Sequence, residues 1–144
     1  MNNLTANFNQ VLKFAEGYGL PVEKKRGILR EYLQVLFLTK FYRFLLAKKM
    51  VFVGGTSLRL LRNLNRFSQD LDFDNLGLTN KQIITLVNEA VKGIRKENID
   101  LELKSTIKGK KTYFELKFPK LLFDLKISTN PREKLMIKVD YADF

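Results

Sequence analysis

The sequence predicts a single α+β domain in which N-terminal helices pack on a mixed β-sheet; two observations predict the class and a third the single domain. Apolar residues recur at helical spacing through the first fifty residues. After that point, short apolar or alternating runs typical of strands are interrupted by helical stretches. The length of 144 residues is that of one ordinary domain. We therefore expect a single domain over 1–144, with N-terminal helices in 1–50 and a mixed core in 51–144.

Two helices are predicted first. Residues 4–18 form one of them, Gly17 and Gly19 end it, and Pro21 suits the first turn of the next. The apolar face of the first helix consists of Phe8, Val11, Leu12 and Ala15. The second helix is expected to run to about residue 48 and to be buried. Its apolar positions at helical spacing are Leu29, Leu33, Leu36, Phe37, Phe41, Phe44 and Leu45.

The remainder predicts strands and two further helices. A short apolar strand over 50–53 precedes a helix over about 56–64, and 70–74 alternate acids with apolar residues, so the acids share one face of a strand. Thr79 is expected to cap a helix to about residue 97, which turns inward Ile83, Val87, Ala90, Val91 and Ile94. Further strands are predicted over about 99–107, 111–118, 121–128 and 134–141, with turns at Gly109 and at Asn130-Pro131.

Composition excludes several kinds of chemistry. The chain has no cysteine and no histidine, which excludes disulfides, thiolate zinc sites and Ser-His-Asp triads. Any metal must bind to oxygen ligands, which favours Mg²⁺, Mn²⁺ or Ca²⁺. The net charge of +11 suits a polyanionic partner such as nucleic acid, although a basic surface also serves solubility. The sequence shows neither a secretory signal nor a membrane span, so we expect a cytoplasmic protein with no membrane partner.

The first candidate site is the run Gly54-Gly55-Thr56-Ser57 between a strand and a helix. Two glycines let the backbone turn sharply and approach a ligand closely. The free N–H groups at the start of the helix then form an anion site, to which Thr56 and Ser57 add hydroxyl donors. Gly-Gly is also a common strand-to-helix turn, and the run is not a Walker A loop.

The second candidate site is the carboxylate pair Asp70 and Asp72. Carboxylates at i and i+2 of a strand lie on one face and repel each other unless a cation lies between them. Phosphoryl-transfer enzymes hold two Mg²⁺ ions in this way. The alternatives are a solvated acidic strand and a calcium loop. A calcium loop would need Gly and Glu where the chain has Asn75 and Lys81.

The third candidate lies in the last predicted strand, where Lys138 and Asp140 share a face opposite to Ile137, Val139 and Tyr141. Asp140 is placed to complete a metal site, and Lys138 to neutralise phosphate charge. A Lys-x-Asp pair taken alone is more often a surface salt bridge.

These three pieces, in this order, resemble a known family. The run Val-Phe-Val-Gly-Gly-Thr-Ser-Leu-Arg over 51–59, followed by Arg-Phe-Ser-Gln-Asp-Leu-Asp-Phe over 66–73, is similar to the AbiEii/AbiGii-type toxin nucleotidyltransferases of the polymerase-β-like superfamily. The stretches 30–34 and 113–118 also resemble the family. The resemblance implies a nucleotidyltransferase fold, with the catalytic core in 51–144.

The resemblance also implies roles for individual residues. The triphosphate would bind at Gly54, Gly55, Thr56 and Ser57. Asp70 and Asp72 would hold two Mg²⁺ or Mn²⁺ ions, and Asp140 would be the third metal-binding and catalytic carboxylate, with Asp124 and Asp143 as alternatives. Arg66 and Ser68 match the family's motif and would support the nucleotide site, to which the strand pattern adds Lys138.

The implied function is transfer of a nucleoside monophosphate from an NTP to an acceptor. That acceptor is expected to be RNA such as tRNA, and the chain to be the toxin of a toxin–antitoxin or abortive-infection system with a cognate antitoxin protein. Two alternatives stay open: a catalytically incomplete nucleotide- or RNA-binding domain, and a nucleotidyltransferase of small molecules. Family members usually continue into a helical region, whereas this sequence ends at Phe144. A truncated piece, whose activity alone is uncertain, and a natural minimal form both fit.

Overall fold

The protein is described by a computed structural model over residues 3–17, 24–54, 70–108 and 111–143. Its helices are α1 (Asn3–Gly17), α2 (Lys25–Phe41), α3 (Asn80–Arg95) and the single turn α4 (Leu121–Asp124), with a 3-10 turn at Leu45–Lys49. Its strands are β1 (Met50–Val53), β2 (Asp70–Asn75), β3 (Glu102–Lys108), β4 (Lys111–Phe118) and β5 (Leu135–Asp143).

The strands form one mixed five-stranded sheet in the order β1-β2-β5-β4-β3. The pair β2–β5 is parallel, and the other pairs are antiparallel. Strands distant in sequence therefore meet at the centre of the sheet, because β5 lies between β2 and β4. This mixed sheet with helices confirms the predicted α+β class.

One face of the sheet packs against the helices. On β2 the buried apolar side chains are Leu71 and Phe73, and on β5 every second residue from Leu135 to Tyr141 is buried. These residues join the inward faces of α2 and α3 in one apolar core, in which Phe37, Phe41 and other side chains are almost fully buried. Burial of apolar side chains is the main stabilising contribution to the folding of a domain. The period of two along β2 and β5 leaves the acids on the second face, as the sequence predicts.

Helix α3 begins as expected at Thr79. Its hydroxyl accepts from the Gln82 backbone N–H at 3.2 Å, and the Gln82 side chain accepts from the Thr79 N–H at 2.9 Å, which completes a capping box. The five predicted inward residues of this helix are all buried, together with Leu86. Strand β4 and the turn at Asn130-Pro131 also agree with the prediction.

The second predicted helix is too long by seven residues: α2 ends at Phe41 rather than near residue 48. The apolar pattern continues past this point, but the chain turns back to enter β1. The Tyr42 hydroxyl donates to the Met50 carbonyl at 2.5 Å across this turn, and its ring packs edge-on against Phe41. Leu45, predicted to be inside, is 78% exposed. Tertiary packing thus overrides the local helical periodicity.

The strand predicted over 121–128 is wrong. Lys120 has a left-handed backbone with φ of 64°, and α4 follows it as one helical turn. Leu121 and Leu122 are both buried. Consecutive residues of a strand point to opposite faces, whereas a helical turn can bury both on the same side.

The helix predicted over about 56–64 lies outside the described residues. Among the described ones, no helix is both long and apolar enough to cross a membrane.

Candidate active site

The candidate site is built on the two central parallel strands. Asp70, Asp72 and Asp140 are half-buried and lie on the face of the sheet opposite the helices. Asp72 is directly level with Asp140, and Asp70 with Lys138. Neighbouring strands lie about 4.8 Å apart, so the sheet brings the Asp72 and Asp140 carboxylates side by side although 68 positions separate them in the sequence. The structure therefore gathers three residues that the sequence singles out.

Gly54 lies next to Asp72 on the side of β1, away from β5. It follows β1, whose Val53 is level with Asp72, and its φ of +84° lies in the left-handed region that disfavours other residues. A Cβ placed on Gly54 would lie 2.6 Å from Asp72 Oδ2. Glycine is therefore required here for two reasons, the turn and the close approach of its backbone to a carboxylate.

An open cavity of about 390 Å³ extends from these residues along the ends of β2 and β5. Its lining consists of Val53, Asp72, Phe73, Asp74, Asp140, Tyr141, Ala142 and Asp143. Burial raises the pKa of Asp72 above its usual range, and repulsion from Asp70 and Asp140 raises it further, against the opposing effect of Lys138. Binding of a cation would stabilise the ionised form of such a carboxylate.

Lys138 is a basic side chain close to Asp72 and Asp140. Its ammonium lies 3.9 Å from Asp140 Oδ2 and 4.6 Å from the centre of the Tyr113 ring. Tyr113 is on β4, level with Asp140. The sequence singles out Lys138, but the part played by Tyr113 depends on the β4–β5 register. Its only signal in the sequence is that it stands in a family-like stretch.

Arg30 approaches the site from α2. Its Nε donates to the Met136 carbonyl at 3.3 Å. Met136 lies near the start of β5, two residues before Lys138, so the guanidinium lies beside that end of the strand. The pKa of Arg30 is lowered from its usual value, mainly by burial and then by the neighbouring Arg26. The negative charge of Asp70 acts in the opposite direction and raises it. A guanidinium near Asp70 was not predicted as a site residue, although it too lies in a family-like stretch.

The two alternatives for the third carboxylate differ from Asp140 in their surroundings. Asp124 is exposed on the turn α4, outside the sheet. Asp143 ends β5 and accepts a hydrogen bond from the Asn75 side chain at 2.8 Å. Asn75 is buried and also bonds to the backbone of Leu78, so it organises the turn between β2 and α3 rather than a calcium loop. Asp140 is the candidate that is level with Asp72.

The donor set suits a hard divalent cation, because every candidate ligand is a carboxylate oxygen. The raised pKa of Asp72 likewise fits a position that a cation would neutralise. In the described part of the chain, however, no three acidic side chains converge as a metal-binding group. Metal binding by Asp70, Asp72 and Asp140 thus stays a prediction, and it requires these side chains to draw together.

The remaining predicted site residues fall outside the described residues. They are Gly55, Thr56, Ser57, Arg66 and Ser68, all within 55–69.

Comparison with known families finds one match. The family described as "Nucleotidyl transferase AbiEii toxin, Type IV TA system" matches residues 36–143, which include β1 to β5 and every carboxylate of the candidate site. Comparisons with curated proteins and with solved structures find no match. The matched region covers most of the chain, and it includes both segments on which the resemblance is based. This chain belongs to the AbiEii nucleotidyl transferase toxin family of type IV toxin–antitoxin systems.

Proposed function

We propose that this chain transfers a nucleoside monophosphate from an NTP to an RNA acceptor such as a tRNA, with Mg²⁺ or Mn²⁺, as the toxin paired with a cognate antitoxin. The observation that carries this proposal is the alignment of Asp72 with Asp140 across parallel strands, beside the backbone of Gly54. The family gives the reaction class. The metal, the acceptor and the partner protein are our inference.

The transfer forms one bond and breaks one. An acceptor hydroxyl oxygen bonds to the α-phosphorus while the bond from that phosphorus to the bridging oxygen of pyrophosphate breaks. The hydroxyl proton goes to a site carboxylate or to water. When bound, two divalent cations would lower the pKa of the hydroxyl and neutralise the charge on the leaving pyrophosphate.

The chain's own residues would hold these reactants. Asp70, Asp72 and Asp140 would ligate the cations. Gly54 leaves room for Asp72 and allows the following backbone to approach a triphosphate, where Gly55, Thr56 and Ser57 would donate hydrogen bonds. Lys138 would face phosphate oxygens from the β5 side, and Arg66 and Ser68 would support the site.

The first test is a label-transfer assay. Each of four α-labelled NTPs is incubated with Mg²⁺ and total cellular RNA, and with the wild type, Asp70→Asn, Asp72→Asn or Asp140→Asn. A matched control is Asp124→Asn, which removes the same charge from an exposed carboxylate away from the site. We expect label on RNA with the wild type and the control. We expect a loss of at least about a hundredfold in the three site variants. With EDTA we expect no label on RNA.

Other outcomes would redirect the proposal. Equal labelling by Asp140→Asn and wild type would remove Asp140 from the site. Label on a small molecule instead of RNA would support the small-molecule alternative. No label with any nucleotide, together with RNA binding that survives, would support a catalytically incomplete binding domain.

A further inference from the structure

Among the described residues, two side chains are seen in contact with the Lys138 ammonium, while Glu115 is level with Lys138 on the adjacent strand. The Tyr113 ring is 4.6 Å from Nζ, and Asp140 Oδ2 is 3.9 Å from it. The second distance exceeds that of a hydrogen bond, and about a third of the Lys138 side chain is exposed. An ion pair at this separation restricts the conformation of a flexible lysine only weakly. The ring is therefore the more restrictive of the two contacts.

The sheet explains why ring and ammonium meet. Tyr113 is level with Asp140 on the adjacent strand, and Lys138 is two residues before Asp140 on the same face. Diagonal neighbours across a sheet lie within reach of aromatic and long side chains. An ammonium within about 6 Å of a ring centre is attracted to the ring face. This attraction does not depend on the charge state or the ligands of the carboxylates.

We propose that Tyr113 is a positioning residue that keeps the Lys138 ammonium beside Asp72 and Asp140. There the ammonium is the resident counter-ion of the two carboxylates. When cations bind to the carboxylates, the Tyr113 ring keeps Lys138 at the edge of the site, where it contacts the phosphates of the nucleotide. The second half of this inference rests on the proposed function, whereas the first half does not.

A double-mutant cycle tests the positioning. The variants are Tyr113→Leu, Lys138→Met and the double substitution, with Tyr113→Phe as the conservative change that keeps a ring. Lys104→Met is the matched control, because Lys104 lies on the same face in the same cross-strand row, two strands from Lys138. Melting temperature in EDTA reports the counter-ion role. Affinity for fluorescently labelled ATP, GTP, CTP and UTP with Mg²⁺ reports the phosphate contact, and KM and kcat are measured for the nucleotide that is transferred.

We expect the effects of Tyr113→Leu and Lys138→Met on stability and on nucleotide binding to be coupled. Tyr113→Leu and Lys138→Met should each lower the melting temperature in EDTA and weaken nucleotide binding roughly three- to tenfold. The double variant should bind no more weakly than Lys138→Met. KM should rise more than kcat falls, and Tyr113→Phe and Lys104→Met should stay within about twofold of the wild type.

Three results would overturn the inference: additive losses in the double variant, Tyr113→Phe as damaging as Tyr113→Leu, or Lys104→Met as damaging as Lys138→Met. Failure of the proposed function is distinguishable. If no nucleotide binds but the melting temperatures in EDTA still show coupling, Tyr113 positions Lys138 and the nucleotidyltransferase proposal fails instead.

Discussion

At the scale of single residues, Gly54 and Asp72 depend on each other. Gly54→Ala would add a left-handed strain of about 1–2 kcal/mol and a methyl group 2.6 Å from Asp72 Oδ2. We expect a loss of stability in urea denaturation. We also expect a loss of label transfer of at least about tenfold, because the carboxylate or the backbone of residue 54 must shift to relieve the 2.6 Å contact.

Gly77→Ala is the control that separates these two effects. Gly77 also has a positive φ, of +112°, but a Cβ there meets nothing within 4 Å. It should lose similar stability and keep its transfer activity. Equal activity of Gly54→Ala and Gly77→Ala would mean that the contact with Asp72 has no role in the reaction.

Asp72 should lower the stability of the metal-free protein at neutral pH, although, on the proposed function, it is needed for metal binding. Its folded pKa lies above the ordinary 3.8, mainly through burial, so the folded chain holds this proton more tightly than the unfolded chain. Stability therefore falls as the pH rises from the ordinary pKa through the raised one. At pH 7 in EDTA, Asp72→Asn should therefore raise the melting temperature. It should also lose most of the further rise that Mg²⁺ gives the wild type, whereas Asp124→Asn should change neither value. A lower melting temperature in EDTA would contradict this account.

The residues of the candidate site divide according to the kind of information that brings them to notice. Asp70, Asp72 and Gly54 were predictable because a period of two and a strand-to-helix glycine are local patterns. Tyr113 and Arg30 were not, since their proximity to the carboxylates depends on the β4–β5 register and on where α2 lies. Local spacing carries neither kind of information.

At the scale of elements, Glu133 ties α2 to the segment before β5. Its Oε1 forms an ion pair with Arg26 Nη2 at 2.6 Å, and its Oε2 accepts from the Ser128 hydroxyl at 2.7 Å. The Ser128 hydrogen bond, and then Arg26, lower the pKa of Glu133. The stabilisation is therefore present above the ordinary pKa of 4.5 and is lost as the pH falls through the lowered one.

Glu133→Gln should consequently melt at a lower temperature than the wild type at pH 7, and the two should converge as the pH falls through the lowered pKa of Glu133. Glu102→Gln removes a carboxylate from an exposed pair with Lys134 and should have little effect at neutral or acid pH. A difference between Glu133→Gln and the wild type that persists unchanged in acid would show that the charge of Glu133 is not what stabilises this junction.

Elements were predictable where side-chain pattern and local chemistry agree. The capping box at Thr79 and the alternation along β2 set their elements on their own. Helix α2 and the turn α4 were mispredicted for different reasons. At Tyr42 the chain reverses without glycine or proline, so the local pattern carries no signal of the reversal. Pro119 does signal a turn, with Lys120 left-handed after it, but the helical turn that follows was taken for a strand.

At the scale of the whole molecule, a chain of net positive charge carries a cluster of acids at its candidate site. The net charge is +11, while four aspartates, Asp72, Asp74, Asp140 and Asp143, line the cavity at the ends of β2 and β5. Such a distribution attracts a polyanion over long range and repels it at the carboxylates unless cations are bound. The charge is readable from composition, but the concentration of acids at one place follows from the parallel pairing of β2 with β5.

Binding of single-stranded RNA should therefore depend steeply on salt and weakly on the site aspartates. If the chain neutralises a few phosphates, affinity should fall roughly ten- to a hundredfold between about 50 and 200 mM KCl. The Asp70→Asn, Asp72→Asn double variant should bind RNA at least as tightly as the wild type without Mg²⁺, because it removes negative charge and leaves the basic residues in place. Fluorescence anisotropy of a labelled oligonucleotide across a salt series measures both effects. Affinity that is independent of salt would argue against a nucleic-acid acceptor and in favour of a small molecule.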